Sequence, residues 1–216
     1  MPDVSDAPPI KAQGEIGFVF EALMGKTLEA IIAPAANEGC IIKILDEQDI
    51  RDVFNEQSLN GVDHMVDVED ASGSRTIFLI QEKWKIITNQ REVSQFLDCC
   101  SRILSRIHPD RRGTVYRLWV TRSQPSANGE KSLAEGGAYV VQSMTSQPIL
   151  AQITGQFICE LLGKREWCGP MIAGMPSLLT VAPADPVVLD SSKTAPAPVF
   201  TYKTQVTVQK GDYYLS

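Results

Sequence analysis

From Gly17 the chain repeats apolar residues at three- and four-residue spacings, Phe18, Phe20, Leu23, Met24, Leu28, Ile31 and Ile32, until Pro34. That periodicity predicts an amphipathic helix, with Glu21 set among its apolar positions. Gly39 to Leu45 is a short β-rich run, followed by an acidic surface helix within Asp46 to Glu56. Val62 to Val68 and Thr76 to Trp84 read as two further strands, the first opened by Asn60-Gly61 and the two joined by the polar link Glu69 to Ser74. A link that short predicts an antiparallel hairpin, which sets Asp63 opposite the end of the next strand. Period two places Gln81 and Lys83 on one face of that strand and Glu82 on the other.

Arg91 to Ile107 carries a continuous apolar stripe, Val93, Phe96, Leu97, Cys100, Ile103, Leu104 and Ile107, and is the clearest helix in the chain. A fourth strand is expected over Thr114 to Thr121, a helical turn or two over Glu130 to Glu135, a fifth strand over Ala138 to Met144 and a last helix over Pro148 to Leu162. An initial hairpin followed by this alternation predicts an α/β fold, a mixed sheet flanked by helices. Residues 1–14 read as a flexible arm and 15–163 as the folded domain. Residues 164–216 read as a Pro-rich extension with extended segments over Leu178 to Val181 and Val199 to Gln209.

Composition agrees with one globular domain: 44% of the 216 residues are apolar and 21% charged. No apolar run is long enough for a membrane span, and the acidic start lacks the flanks of a signal peptide, so a cytosolic, non-secreted protein is expected. The five cysteines show no C-x-x-C spacing, and reduced, mostly buried thiols are expected. The net charge of −6 conceals an asymmetry. Residues 1–82 hold 5 Lys and Arg against 16 Asp and Glu, whereas residues 83–122 hold 9 against 3. A basic stretch therefore follows the polar strand end, and local field rather than net charge steers a polyanion.

Polar groups at the end of an apolar strand point to chemistry. Hydrolysis of a phosphodiester needs stabilisation of charge on phosphate and a nucleophilic water, and Mg²⁺ can serve both with a few oxygen ligands. Asp63, Gln81 and the backbone carbonyl of Glu82 can supply those oxygens, Lys83 can orient water or offset phosphate charge, and Glu21 can hold a metal-bound water or Lys83. Asp67 lies on the same strand face as Asp63. Asp63 is preferred because it follows the Asn60-Gly61 turn and faces Lys83 in the simplest register.

The pattern Gly-x-x-Phe-Glu at Gly17 to Glu21, Gly-Val-Asp at Gly61 to Asp63 and Ile-Gln-Glu-Lys-Trp at Ile80 to Trp84 resembles the PD-(D/E)xK nuclease superfamily. It is most similar to the Mrr-type branch with a Gln-x-Lys motif, including uncharacterised members in large DNA viruses. The resemblance covers about half of the chain and implies a restriction-endonuclease-like core of helix, three strands, helix and strand. It also implies Asp63 and Gln81 as metal ligands, Lys83 as the catalytic lysine and Glu21 as the helix acid, with Mg²⁺ as cofactor and Mn²⁺ able to substitute. Gln81 stands where many relatives have an acid.

The implied activity is a metal-dependent deoxyribonuclease, its partner double-stranded or branched DNA, with a homodimer as one means of adding specificity. Lys85, Arg91, Arg111 and Arg112 are the candidates for DNA backbone contacts. The alternative is a nuclease-fold protein that no longer cuts and acts as a structural or DNA-binding subunit. The net acidic charge and the absence of any base-reading module favour that alternative.

Overall fold

The helices form where the chain supplies their ends. In the computed structural model, which describes residues 10–168 except 60, 86, 87 and 145, α1 spans Ile10–Ile32 and passes into a 3-10 segment, Ala33–Glu38. Helix α2, Glu47–Phe54, starts in a capping box: the Asp49 amide donates to Asp46 Oδ1 at 2.8 Å, and Asp49 Oδ2 accepts from the Asp46 amide. Helix α3, Gln90–Arg106, repeats the device with Asn89 and Glu92. Ser126 caps α4, Ala127–Glu135, and Pro148 lies in the first turn of α5, Gln147–Leu161.

Five strands make one mixed sheet in sequence order: β1 Ile41–Asp46, β2 His64–Glu69, β3 Arg75–Lys83, β4 Thr114–Thr121 and β5 Ala138–Gln142. The first three pair antiparallel, whereas β3, β4 and β5 run parallel. The expected hairpin is therefore present, with His64 opposite Ile80 and Glu69 opposite Arg75. The order helix, three strands, helix, strand over residues 10–121 is the one the sequence motifs imply, with α2 inserted between β1 and β2.

Each sheet face has its own core. Val66, Phe78, Ile80, Leu118, Val120 and Val141 pack beneath α1 and α5, including Phe20, Met24, Leu28, Leu150 and Phe157. Met65, Ile77, Leu79, Trp119 and Val140 pack on the opposite face beneath Ile50 of α2, Phe96 and Ile103 of α3 and Leu133 of α4. The unbroken apolar run Ile77 to Ile80 of β3, buried throughout, thus reads directly as a strand covered by helices on both faces.

Both ends of the folded domain differ from the sequence reading. Helix α1 begins at Ile10 rather than Gly17, so residues 10–14, assigned to the arm, are helical. At the other end a 3-10 turn, Arg165–Cys168, packs onto the α1–α5 layer, with Trp167 buried and its Nε1 donating to Glu38 Oε1 at 2.6 Å. The expected segments at 178–181 and 199–209, and residues 1–9, lie outside the described residues. All five cysteines are free: Cys99, Cys100 and Cys159 are buried, while Cys40 and Cys168 are half-buried. Burial pushes the Cys99 thiol up to about 11, which keeps it protonated and inert at neutral pH.

Candidate active site

Three strand ends and the middle of one helix meet at a single edge of the sheet. Gly61 enters β2 at φ +130°, and a Cβ there would lie 3.1 Å from the Gln95 carbonyl oxygen of α3. A larger residue would push the entry of β2 off α3. Two residues later the Asp63 amide donates to the Ile80 carbonyl at 2.8 Å, extending the hairpin ladder by one bond.

That ladder fixes where the Asp63 carboxylate points. Its Oδ2 accepts from the Glu82 backbone amide at 2.6 Å and from the Gln81 side-chain amide, and lies 3.9 Å from Lys83 Nζ. Burial raises the Asp63 pKa above the ordinary carboxylate range, while Lys83 and the two amide donors pull the other way. Glu21 is half-buried, and its pKa is raised by burial and then by Asp63, with Lys83 acting against both. The structure therefore brings Asp63, Gln81 and Lys83 into contact, with Glu21 of α1 near enough for the charges of Asp63 and Lys83 to act on it.

Asp67 sits elsewhere. Arg75 clamps it with Nε to Oδ1 at 2.6 Å and Nη2 to Oδ2 at 2.7 Å, near the turn of the hairpin. This fork geometry consumes both carboxylate oxygens and leaves Asp63 as the hairpin acid beside Lys83.

Glu82 faces away from Gln81 and Lys83, as period two requires, and its side chain is buried against His64, with His64 Nδ1 2.7 Å from Glu82 Oε1. Burial pushes the Glu82 carboxyl up to about 7, with His64 opposing. Burial lowers the His64 pKa, but the Glu82 hydrogen bond and the charges of Glu82, Asp63 and Asp46 leave it raised overall. His64 was legible in the sequence only as one of two histidines. Its contact becomes visible once the hairpin register is known.

The basic residues divide into two groups. Lys85 follows β3 and pairs with Glu92 in the first turn of α3, where Arg91 is exposed. Arg122 leaves β4 with its amide donating to the Lys83 carbonyl at 3.2 Å and its guanidinium 5.3 Å from the Trp84 ring. These cations share the sheet edge with Lys83. Arg111 and Arg112 do not, because β4 is parallel to β3 and begins beside Thr76. They lie at the opposite end of the sheet, where Arg75 Nη1 donates to the Arg111 carbonyl at 2.7 Å. A cavity of about 700 Å³ lined by Lys43, Phe54, Met65, Arg75 and Arg111 also lies there, and none of the four gathered residues lines it. Farther along α3, Arg102 and Arg106 are held by Glu56 at 3.1 and 2.7 Å.

No protein-family model matches the chain, and no curated protein matches it. Among solved structures it is similar to the MspJI restriction endonuclease in complex with a 27-mer oligonucleotide. The TM-score is 0.34 and the identity 13%, over 74% of this chain and 36% of that one. The chain thus spans about a third of the length of that protein, and no residue role is carried across from it.

The donor set bears on which ion could bind. Among the described residues, no three His, Cys, Asp or Glu side chains are gathered to hold a metal by themselves. One carboxylate, one amide oxygen and one backbone carbonyl, with Glu21 nearby, is an oxygen-only set of low charge. Such a set suits Mg²⁺, which keeps several waters, and does not suit zinc. The Gln81 amide already faces Asp63, and turning it over would present its oxygen where a cation could lie between the two.

Proposed function

We propose that the chain is a Mg²⁺-dependent nuclease that hydrolyses DNA phosphodiesters through Glu21, Asp63, Gln81 and Lys83. The observation that carries this reading is the convergence on Asp63 Oδ2 of the Gln81 amide and, 3.9 Å away, the Lys83 ammonium. The three residues lie at the carboxyl end of the parallel strands, the edge where open α/β sheets bind ligands. Helices α3, α4 and α5 each begin just after β3, β4 and β5 end, so their positive N-terminal ends favour an anionic substrate at the same edge.

Mg²⁺ bound there would supply polarisation of a phosphate oxygen and a more acidic water. Asp63, Gln81 and the Glu82 carbonyl would hold it, with Glu21 acting through a bound water. Lys83 places a positive charge where the attacked phosphate gathers negative charge. In the overall step a bond forms between the water oxygen and phosphorus, and a phosphorus–sugar oxygen bond breaks. The attacking water loses a proton and the leaving sugar oxygen takes one up, so that one end carries a phosphomonoester and the other a hydroxyl. Lys85, Arg91 and Arg122 are positioned to contact backbone phosphates on either side.

The test is cleavage of supercoiled, linear, single-stranded and branched DNA with Mg²⁺ or Mn²⁺, and with EDTA. Metal-dependent cuts are expected in at least one substrate, and no cuts in any would remove the reading. A second reading, a silent nuclease-fold protein, is favoured by the hydrogen bonds that already occupy Asp63 Oδ2. Calorimetry separates the two, since the silent protein would bind neither ion.

The division of the basic residues gives a further expectation. Replacing Lys85 and Arg91 together by alanine should weaken DNA binding and lower the slope of log K against log salt by roughly 1 to 2. The pair Arg111→Ala and Arg112→Ala should leave both unchanged, as measured by fluorescence anisotropy across a salt series.

A further inference from the structure

We propose that His64 and Glu82 are a positioning pair: their bond and the seat of His64 on Gly25 set α1 against the hairpin, holding Glu21 and Asp63 at Lys83. This role rests on the nuclease reading of the same site.

The placement of the pair is odd for a core. His64 is 7% exposed and Glu82 3%, both on the face that otherwise holds Val66, Phe78 and Ile80. Taking two ionisable groups out of water is costly, and apolar residues of similar volume are often as stable or more so. Glu82 Oε2 is moreover buried without a hydrogen-bond partner, a further cost that one bond to Oε1 does not remove. Stability alone does not account for the two residues.

Geometry does. His64 directly follows Asp63, and Glu82 lies between Gln81 and Lys83. Because side chains alternate, the pair anchors from one face of the sheet the same backbone whose neighbours, Asp63, Gln81 and Lys83, form the site from the other. Three bonds lock these strand ends: the Asp63 amide to the Ile80 carbonyl, the Glu82 amide to Asp63 Oδ2, and His64 to Glu82 at 2.7 Å. Loss of the last would leave the ends of β2 and β3, each still paired to its outer neighbour at Asp46 and Thr121, joined across the site by the other two bonds.

The opposite edge of the imidazole meets α1. A Cβ on Gly25 would lie 3.2 Å from His64 Nε2 and 4.0 Å from Cε1, so the ring rests against bare helix backbone. Glu21 lies four residues before Gly25, on the same face of α1 one turn away. His64 is thus the spacer between sheet and helix, and its seat sets how close Glu21 approaches Asp63 and Lys83. A misplacement of about 1 Å can cost roughly a hundredfold in rate, so such a spacer has catalytic weight without touching substrate.

Two kinds of variant test this. The double variant His64→Leu with Glu82→Leu should keep its melting temperature yet lose about tenfold or more in kcat, with KM for DNA little changed. Gly25→Ala should leave the melting temperature near wild type, the helix preference of alanine offsetting the tight contact, but should lower kcat several-fold by pushing α1 off His64. Glu82→Gln, whose side-chain oxygen can still accept from His64, should cost less in kcat than Glu82→Leu. The ¹³C signal of the Asp63 carboxyl and the ¹⁵N signal of Lys83 Nζ should move in the double variant and also in Gly25→Ala, which alters no charge.

Wild-type kcat with unmoved signals in the double variant and in Gly25→Ala would overturn the proposal. Should the double variant not fold, Gly25→Ala decides by the same two readouts. If the wild-type protein cuts nothing with either metal, the nuclease reading fails by itself. The two NMR signals then decide the positioning role alone, moved signals supporting it and unmoved ones overturning it.

Discussion

Lys83→Ala is expected to lower metal-dependent DNA cleavage by a factor on the order of 10²–10³, the usual loss when one preorganised charge-stabilising group is removed. The fold should survive. Lys83 pairs with Asp63 Oδ2 only at 3.9 Å, and Asp63, its side chain 11% exposed, keeps its two amide donors when Lys83 is lost. Thermal unfolding should therefore change little while single-turnover cleavage collapses. Asp63→Asn is the partner experiment: it keeps the side chain's shape but halves its oxygens, so Mn²⁺ binding read by electron paramagnetic resonance should fall along with cleavage. If both variants cut like the wild type, the chemistry lies elsewhere on the molecule.

The part of this site that could be read in the sequence was the part governed by short-range rules. Period two separates Gln81 and Lys83 from Glu82, and a short polar link makes a hairpin, so Asp63 opposite the strand end followed from local pattern alone. The apolar stripe of α3 was equally visible. What the sequence could not disclose depended on the path of the chain through space. Arg111 and Arg112 follow the site closely in sequence, yet α3 carries the chain back along the sheet before parallel β4 begins. Eight paired positions of β3 and β4, at about 3.3 Å each, separate them from Lys83 by roughly 25 Å. His64 and Glu82 needed both the register and the packing of α1, neither of which composition reports. The early start of α1 was hidden for a simpler reason: prolines before Ile10 read as an arm, although a proline just ahead of a helix is also a common start.

Trp119→Ala is expected to be among the most destabilising substitutions in the chain, at about 3–5 kcal/mol. Its side chain is fully buried and meets the Phe96 ring edge-on at a centroid distance of 5.5 Å, tying β4 to α3. Its indole Nε1 has no hydrogen-bond partner, so the residue is held for ring volume rather than for a polar bond. Trp119→Phe keeps most of that volume and removes the unpaired N–H, and should therefore cost far less, about 1–2 kcal/mol. The effect reaches the site because Trp119 lies beside Gln81 in the β3–β4 register, on the same face. In the alanine variant the Gln81 side chain can fold into the vacated space and leave Asp63, so cleavage should drop even at temperatures where the variant remains folded. Urea unfolding of both variants, with cleavage measured well below each midpoint, checks the two effects separately. A loss under about 1 kcal/mol for Trp119→Ala, or equal losses for both variants, would contradict this account of the core under the site.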